Sequence, residues 1–453
     1  VEDSVEIAEQ EVSAGERQTD ACPVCGRAVQ GHLFEIASLP EGLQSIIKPN
    51  AASADAAEVC GRCIELFNRA QRQIESHETI FEQNDFVLPT PLRMDADERF
   101  TGRGVTIAFL DSGFYAHSDL TTPNNRILAY HSIFAEEGDQ TSLETNDVAS
   151  WHGMMTSVVA TGNGGLDGFY RGIAWEANLA LVKIGRSGRI TEDQIQKGLE
   201  WVLTHMEEHQ IRVINISAGG DFEESYLTNQ LSQAVERCVR AGLTIVCAVG
   251  NAGHMPGHPV LPPASAPSSI AVGGLDDRNS LDRARRGMYR SSYGPTSDGL
   301  QKPEVIAPGI WVAAPILPHT PTAEEAELYS KLDVAADEDL RAILESNPGV
   351  DKDLDEASSL PLPLMRQLIT IKLREGNVIN PDYKYVDGTS FAAPIVSSII
   401  ACMLEANPRL TPQQIKRILI DTAERVPDVE VDRQGWGVVS ARRAVESALA
   451  LKK

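Results

Sequence analysis

Three residues that together could activate a hydroxyl sit at the edges of apolar runs in this chain. Ser390 lies in "YVDGTSFAAPIV" (385–396), just before a stretch, "SFAAPIVSSIIACMLEA", that is apolar on nearly every side. Such a stretch reads as a buried helix. A serine at its start is either an N-cap or a nucleophile at the positive end of the helix dipole, where developing negative charge is stabilised. Gly388, Ala392 and Ala393 would let another backbone come close, and Pro394 is expected in the first turn, where its missing N–H costs no bond. Asp111 directly follows "VTIAFL", and His152 opens the helical pattern of "SWHGMMTSVVATG". Alone, the first reads as a turn aspartate and the second as a structural histidine. Together they supply a base for the hydroxyl and an acid to orient the base.

A second chemistry is written in "CPVC" (22–25) and "CGRC" (60–63). Two such knuckles bring four thiolates, Cys22, Cys25, Cys60 and Cys63, to one tetrahedral ion, and a closed set of four cysteines of this kind is structural zinc. Two disulfides or unliganded thiols are the alternatives. Cys238, Cys247 and Cys402 stand alone in apolar surroundings, so the odd total of seven cysteines points to a reducing compartment rather than a disulfide framework. The expected location is cytoplasmic.

The elements that must position these residues alternate. "VTIAFL" (105–110), "LALVKI" (179–184), "VINIS" (213–217), "TIVCAV" (244–249) and "IAVGG" (270–274) read as strands buried on both faces. Between them, Ile195, Leu199, Val202 and Met206 share one helical face, and so do Leu227, Leu231, Val235 and Cys238. The pattern predicts an α/β fold: a parallel sheet with helices on both sides, with functional groups just past the strand C-termini. Residues 1–20 are acidic and read as a disordered tail without the features of a signal peptide. Residues 21–85 form the cysteine module, ending in a helix after Cys63. Residues 86–453 form the main domain, interrupted at 316–384 by an acidic helical insertion. That insertion is either a surface embellishment or a cap over the crevice.

The net charge is −24 over 453 residues. Such a surface repels nucleic acid and anionic lipid, so neither is an expected partner. No run of about 18 apolar residues stands out, so no membrane span is expected.

With these motifs in order, the chain resembles the subtilisin-like serine protease family. "LDSGF" looks like its aspartate motif, "HSDL" (117–120) like the turn after it, and "HG" (152–153) like its histidine motif. "INISAGG" (214–220), "AVGNAG" (248–253), "RSSYGP" (290–295), "VIAPG" (305–309) and "GTSFAAP" (388–394) complete the series. The order Asp, His, Ser is that of the family, and the likeness covers about 89–450 apart from the insertion. It implies a three-layer subtilisin-like fold and a serine endopeptidase acting through an acyl-enzyme. Ser390 would be the nucleophile, His152 the base and Asp111 its orienting acid. The Asn251 amide and the Ser390 N–H would form the oxyanion hole. An extended protein or peptide substrate would lie between Gly185–Arg189, including Gly188, and Ser217–Gly219. Ala218 and Ala248–Gly250 would line a first pocket for an apolar or medium-sized side chain. His117 would belong to a structural turn.

Two features depart from the family. Met154 replaces a small hydroxyl residue behind the histidine, which leaves a catalytically weak peptide-binding scaffold as the alternative function. The loop 162–168 stands where the family often binds calcium, but Asn163 and Asp167 are its obvious ligands, and a plain glycine turn accounts for it equally. The cysteine module takes up the length that a folded prodomain occupies in many members. It is expected to recruit a regulatory protein partner or control access.

Overall fold

The computed structural model describes residues 22–24, 29, 32–48, 56–61, 63–64, 87–134, 143–165, 168–186, 189–255, 257–358 and 360–452. The chain divides into two compact units, Val1–Gln71 and Arg72–Lys453.

In the first unit, β1 (Leu33–Glu35) pairs antiparallel with β2 (Glu58–Cys60), placing Leu33 opposite Cys60. Ile36, Val59, and Leu43 and Ile47 of the helix Glu41–Ile47 are buried. Val24, Cys22, Cys60 and Cys63 are buried with them, and small modules commonly add metal or disulfides to such a core. The stretch 1–20, Cys25, and the expected helix beyond residue 64 lie outside the described residues.

The second unit is built on an eight-stranded sheet. Its parallel strands are β3 (Thr106–Asp111), β4 (Ile127–Ser132), β5 (Asn178–Lys183), β6 (Ile211–Ile216), β7 (Thr244–Ala248), β8 (Ile270–Asp276) and β12 (Val305–Pro308). The order is β12-β8-β7-β6-β3-β5-β4, and β9 (Gly287–Met288) adds an antiparallel edge to β8. Two short strands, β10 (Gly294–Pro295) and β11 (Gln301–Lys302), form a separate hairpin. Every residue of β3 is buried, as expected for a strand covered on both faces.

Two apolar layers cover the sheet. On one side Ile107, Phe109, Leu179, Leu181 and Val213 pack with the helices Trp151–Thr161 and Thr389–Ala406. On the other, Leu110, Val182, Ile214 and Ile245 pack with the helices Glu192–His205 and Gln230–Arg240. The last of these begins later than its apolar pattern suggests. Asn229 caps it by accepting from Ser232 N, and Asp298 holds Ser225 and Tyr226 in the preceding loop. Leu227 is therefore left 67% exposed.

The expectation that no segment has the length and hydropathy of a membrane span is corrected at Thr389–Ala406. This helix has 18 residues with a mean hydropathy of 1.5, and 89% of it is buried inside the protein. Its apolar character is that of a central core helix, surrounded by the rest of the domain.

Four helices lie within residues 316–384: Pro321–Val334, Leu340–Ser346, Lys352–Ala357 and Leu362–Glu375. They share a small core that includes Leu328, Leu332, Leu344, Met365 and Ile369. This bundle leaves and rejoins the domain through an antiparallel stem of β13 (Val312–Pro315) and β14 (Tyr383–Val386). The second strand of the stem runs directly into Gly388 and Ser390.

Candidate active site

The ends of β3, β6 and β7 and the start of the helix Thr389–Ala406 meet at the C-terminal end of the sheet's central strands. Asp111 closes β3 and is 2% exposed. Its carboxylate accepts from Ser112 N at 2.7 Å and from Thr156 Oγ1 at 3.3 Å. His152, in the first turn of its helix, places Nδ1 2.8 Å from Oδ1 and 2.9 Å from Oδ2 of Asp111. Gly153 makes this contact geometrically feasible. A Cβ there would lie 2.1 Å from the Gly113 carbonyl oxygen and 3.0 Å from the Asp111 Cβ, so any larger residue would push the helix off β3. Burial pulls the His152 pKa down, but the charge of Asp111 and its hydrogen bond pull it up, and the net shift is upward.

Ser390 is the second residue of its helix, so its N–H has no intrahelical acceptor. Gly388 precedes it at φ 140°, a conformation L side chains rarely adopt. The Ser390 hydroxyl points to the Ser217 carbonyl at 3.4 Å, and among the described residues no hydrogen bond joins it to His152. Such contacts often tighten only when substrate is present. Asn251 accepts from Thr389 N at 2.9 Å and Thr389 Oγ1 at 3.0 Å through Oδ1. That fixes the amide orientation and leaves the Nδ2 donor pointing away from Thr389.

Pro394 corrects the sequence reading. It lies inside the helix, beyond the first turn, so its ring deprives the Ser390 carbonyl of its i+4 donor. Ser217 Oγ takes that place, donating to Ser390 O at 2.8 Å. Behind it, Asn215 Nδ2 donates to Ser217 Oγ at 3.1 Å and Ser397 Oγ donates to Asn215 Oδ1 at 3.0 Å. The proline thus frees a carbonyl that ties the Ser390 backbone to Ser217, just past β6. Asn215, Ser397, Thr156 and Thr389 were not singled out from sequence. For Asn215, Ser397 and Thr156 the available signal was a polar residue in the middle of a mostly buried strand or helix.

The remaining expected site residues fall as follows. Ala218, Gly219 and Gly250 border the crevice beyond β6 and β7, and Ala248 closes β7. Gly250 N donates to Thr389 Oγ1 at 3.3 Å. Gly185 is buried, and a Cβ there would lie 2.7 Å from Ser112 Cα, so it packs behind Asp111. Gly188 lies outside the described residues. His117 is buried and caps the short helix Ser118–Thr121, accepting from Asp119 N at 3.2 Å. Burial pushes its pKa down, which fits a neutral cap and not the base.

Residues 102–437 match the profile of the subtilase family, Peptidase_S8. The chain belongs to the subtilase family. It is 29% identical over 357 residues to serine protease AprX of Bacillus subtilis (strain 168), spanning 77% of this chain and 67% of that protein. It is 28% identical over 212 residues to subtilisin BL of Lederbergia lenta, spanning 46% of this chain and 65% of that protein. Among solved structures, the Clostridium perfringens CspB protease superposes with a TM-score of 0.55 at 16% identity, covering 78% of this chain and 96% of the other. A protease of Pseudoalteromonas arctica PAMC 21717 gives 0.51 at 22%, covering 82% and 97%. These two likenesses show the fold.

Two metal questions are local to this subtilase. In the first unit the Sγ atoms of Cys22, Cys60 and Cys63 all lie within 4.8 Å of one another and are buried. Cys60 N also donates to Cys22 Sγ at 3.3 Å, a contact that favours a thiolate. Three convergent soft donors suit zinc. At the loop after the histidine helix, few donors are free for calcium among the described residues. Asp119 is occupied by Gly165 N and the Tyr383 hydroxyl, and the Asn163 amide group donates to the Thr122 carbonyl. Asn163 Oδ1 is buried without a partner, and Asp167 lies outside the described residues. Among the described residues this loop thus offers one unpartnered side-chain oxygen, where calcium takes six to eight ligands.

Proposed function

We propose that this subtilase is an endopeptidase that cleaves protein or peptide chains through Asp111, His152 and Ser390. The observation that carries the reading is the hold of Asp111 on His152 Nδ1 at 2.8 and 2.9 Å. With Nδ1–H given to the carboxylate, Nε2 is the basic nitrogen. It takes the Ser390 proton as Oγ attacks the scissile carbonyl, and Asp111 stabilises the imidazolium that results. The oxyanion receives the Ser390 N–H and the Asn251 Nδ2–H. His152 then returns the proton to the leaving amine, and water repeats the sequence on the acyl-enzyme. The substrate runs as an extended strand past Ser217–Gly219, with Ala218, Ala248 and Gly250 lining the first pocket. Met154, the departure behind the histidine, is fully buried in the core, and the Asp111–His152 contact coexists with it. This supports catalysis over a purely peptide-binding scaffold.

The cysteine module completes the reading. Cys22, Cys60 and Cys63, with Cys25 as fourth ligand, would hold one structural zinc that supplies folding energy to the first unit. Its role is to recruit a regulatory partner or govern access, in a reducing, cytoplasmic setting where thiolates persist.

A fluorophosphonate probe tests the catalytic reading directly. Labelling should map to Ser390, and Ser390→Ala should lose both labelling and peptide hydrolysis while keeping its thermal transition. Hydrolysis by Ser390→Ala at the wild-type rate would sink the enzyme reading.

A further inference from the structure

We infer that the helical insertion builds a second specificity pocket, on the leaving-group side of the scissile bond, that takes a bulky apolar side chain. This rests on the triad reading above. A cavity of about 680 Å³ is lined by Trp151 and Phe391, and neither Ser217–Gly219 nor Ala248–Gly250 is among its lining residues. Two of its walls are in ring contact with His152 itself. Trp151 meets the imidazole edge-on at 5.2 Å between centroids, and Phe391 meets it tilted at 5.8 Å. Phe391 also follows the nucleophile directly.

This position defines which half of the substrate the cavity meets. His152 must reach the leaving amine to protonate it, so the chain departing from the scissile bond passes over His152. A pocket walled by the two rings that flank His152 therefore faces the first residues of the departing half. The acyl half lies on the other side of Ser390, along β6 and β7.

The chemistry of the lining selects the ligand. Met155, Ile316, Leu317 and Val386 add aliphatic wall to the two rings. The charged lining residues, Lys384 and Asp387, are opposite in sign, so the pocket carries no net charge to favour an ion. The outer wall is the insertion's own. Thr320, Pro321 and Thr322 start its first helix. The antiparallel stem of β13 and β14 fixes that wall relative to Ser390. Pockets of this size and apolarity are ordinary ligand sites, and one large aliphatic or aromatic side chain fits with room for the backbone that carries it.

The test uses the full chain and two kinds of substrate with a common acyl half. A peptide methyl ester has no residue beyond the scissile bond and reads the triad alone. Internally quenched peptides with Gly, Leu, Phe or Glu in the first two positions after the bond read the pocket. Leu or Phe should exceed Gly in kcat/KM by about tenfold or more, the usual discrimination of an apolar pocket. Thr322→Trp fills the outer wall from an exposed position and should bring that ratio towards one while ester hydrolysis stays at the wild-type rate. Val148→Trp, from the exposed rim near the histidine helix, is a second variant expected to act alike. Equal rates for Gly and Leu, a preference for Glu through Lys384, or a ratio unmoved by either active variant would overturn the pocket. Failure of the wild type to hydrolyse the ester would instead overturn the triad reading, and the pocket with it.

Discussion

Asn251 offers an acceptor atom and a donor atom, and substitution separates what each does. Its Oδ1 accepts from Thr389 N and Thr389 Oγ1, and Thr389 is fully buried. Its Nδ2 is the proposed oxyanion donor. Asn251→Ala removes both. Two hydrogen bonds at about 0.5–1.5 kcal/mol each give a stability loss of roughly 1–3 kcal/mol, or a fall in Tm of about 2–4 °C per kcal/mol. The lost donor should lower kcat by about 10²–10³, equivalent to roughly 2.7–4 kcal/mol in the transition state. KM should change little, because the charge on the oxygen develops only in that state. Asn251→Asp keeps the acceptor and both Thr389 bonds but replaces the donor with negative charge. It should hold a Tm near the wild type and lose at least as much kcat as the alanine variant. The assay is steady-state hydrolysis of a peptide amide alongside calorimetric Tm. An Asn251→Asp enzyme retaining more than about a tenth of wild-type kcat would refute the oxyanion role. One as unstable as Asn251→Ala would refute the acceptor role.

The raised pKa of His152 predicts a pH profile. The base must be neutral, so kcat/KM should rise with pH through a midpoint above the ordinary histidine value of 6.5. In Asp111→Asn, burial acts unopposed, and an NMR titration of the His152 imidazole should show its pKa lower than in the wild type. The same shift links to stability: the protonated His152–Asp111 pair stabilises the fold fully below the unfolded pKa, and this contribution is lost as pH rises through the higher folded value. Ser217→Ala leaves the Ser390 carbonyl without its donor and should cost about 1–3 kcal/mol in chemical denaturation; an unchanged midpoint would mean the Pro394 gap is filled by other means. Metal analysis should find about one zinc per chain, and Cys22→Ser with Cys60→Ser should lose it and unfold the first unit while fluorophosphonate labelling of Ser390 persists.

The sheet was legible because each of its central strands is a short apolar run, and only burial on both faces gives that pattern. Asp111, His152 and Ser390 stood out as candidates for a related reason, since each polar group marks the end of an apolar element, where a parallel sheet collects its functional groups. The ordered motifs around them carried the family. What could not be read were relations between distant segments. Ser217 and Ser390 are 173 residues apart, yet the Ser217 hydroxyl fills the gap left by Pro394, and nothing local to either residue announces the pairing. The N-terminal edge of the helix Gln230–Arg240 was misplaced because Asp298, far along the chain, holds the preceding loop. The length and composition of Thr389–Ala406 suit a membrane or a core equally, and burial in this domain decides between them. The insertion read as a separate acidic helical segment, since its periodicity says only that it buries an apolar face of its own. The start of its first helix nonetheless lines one cavity with Trp151 and Phe391. Local sequence thus determined which groups are available, through burial patterns and turn chemistry, whereas packing between remote segments decided which groups meet and what space is left beside them.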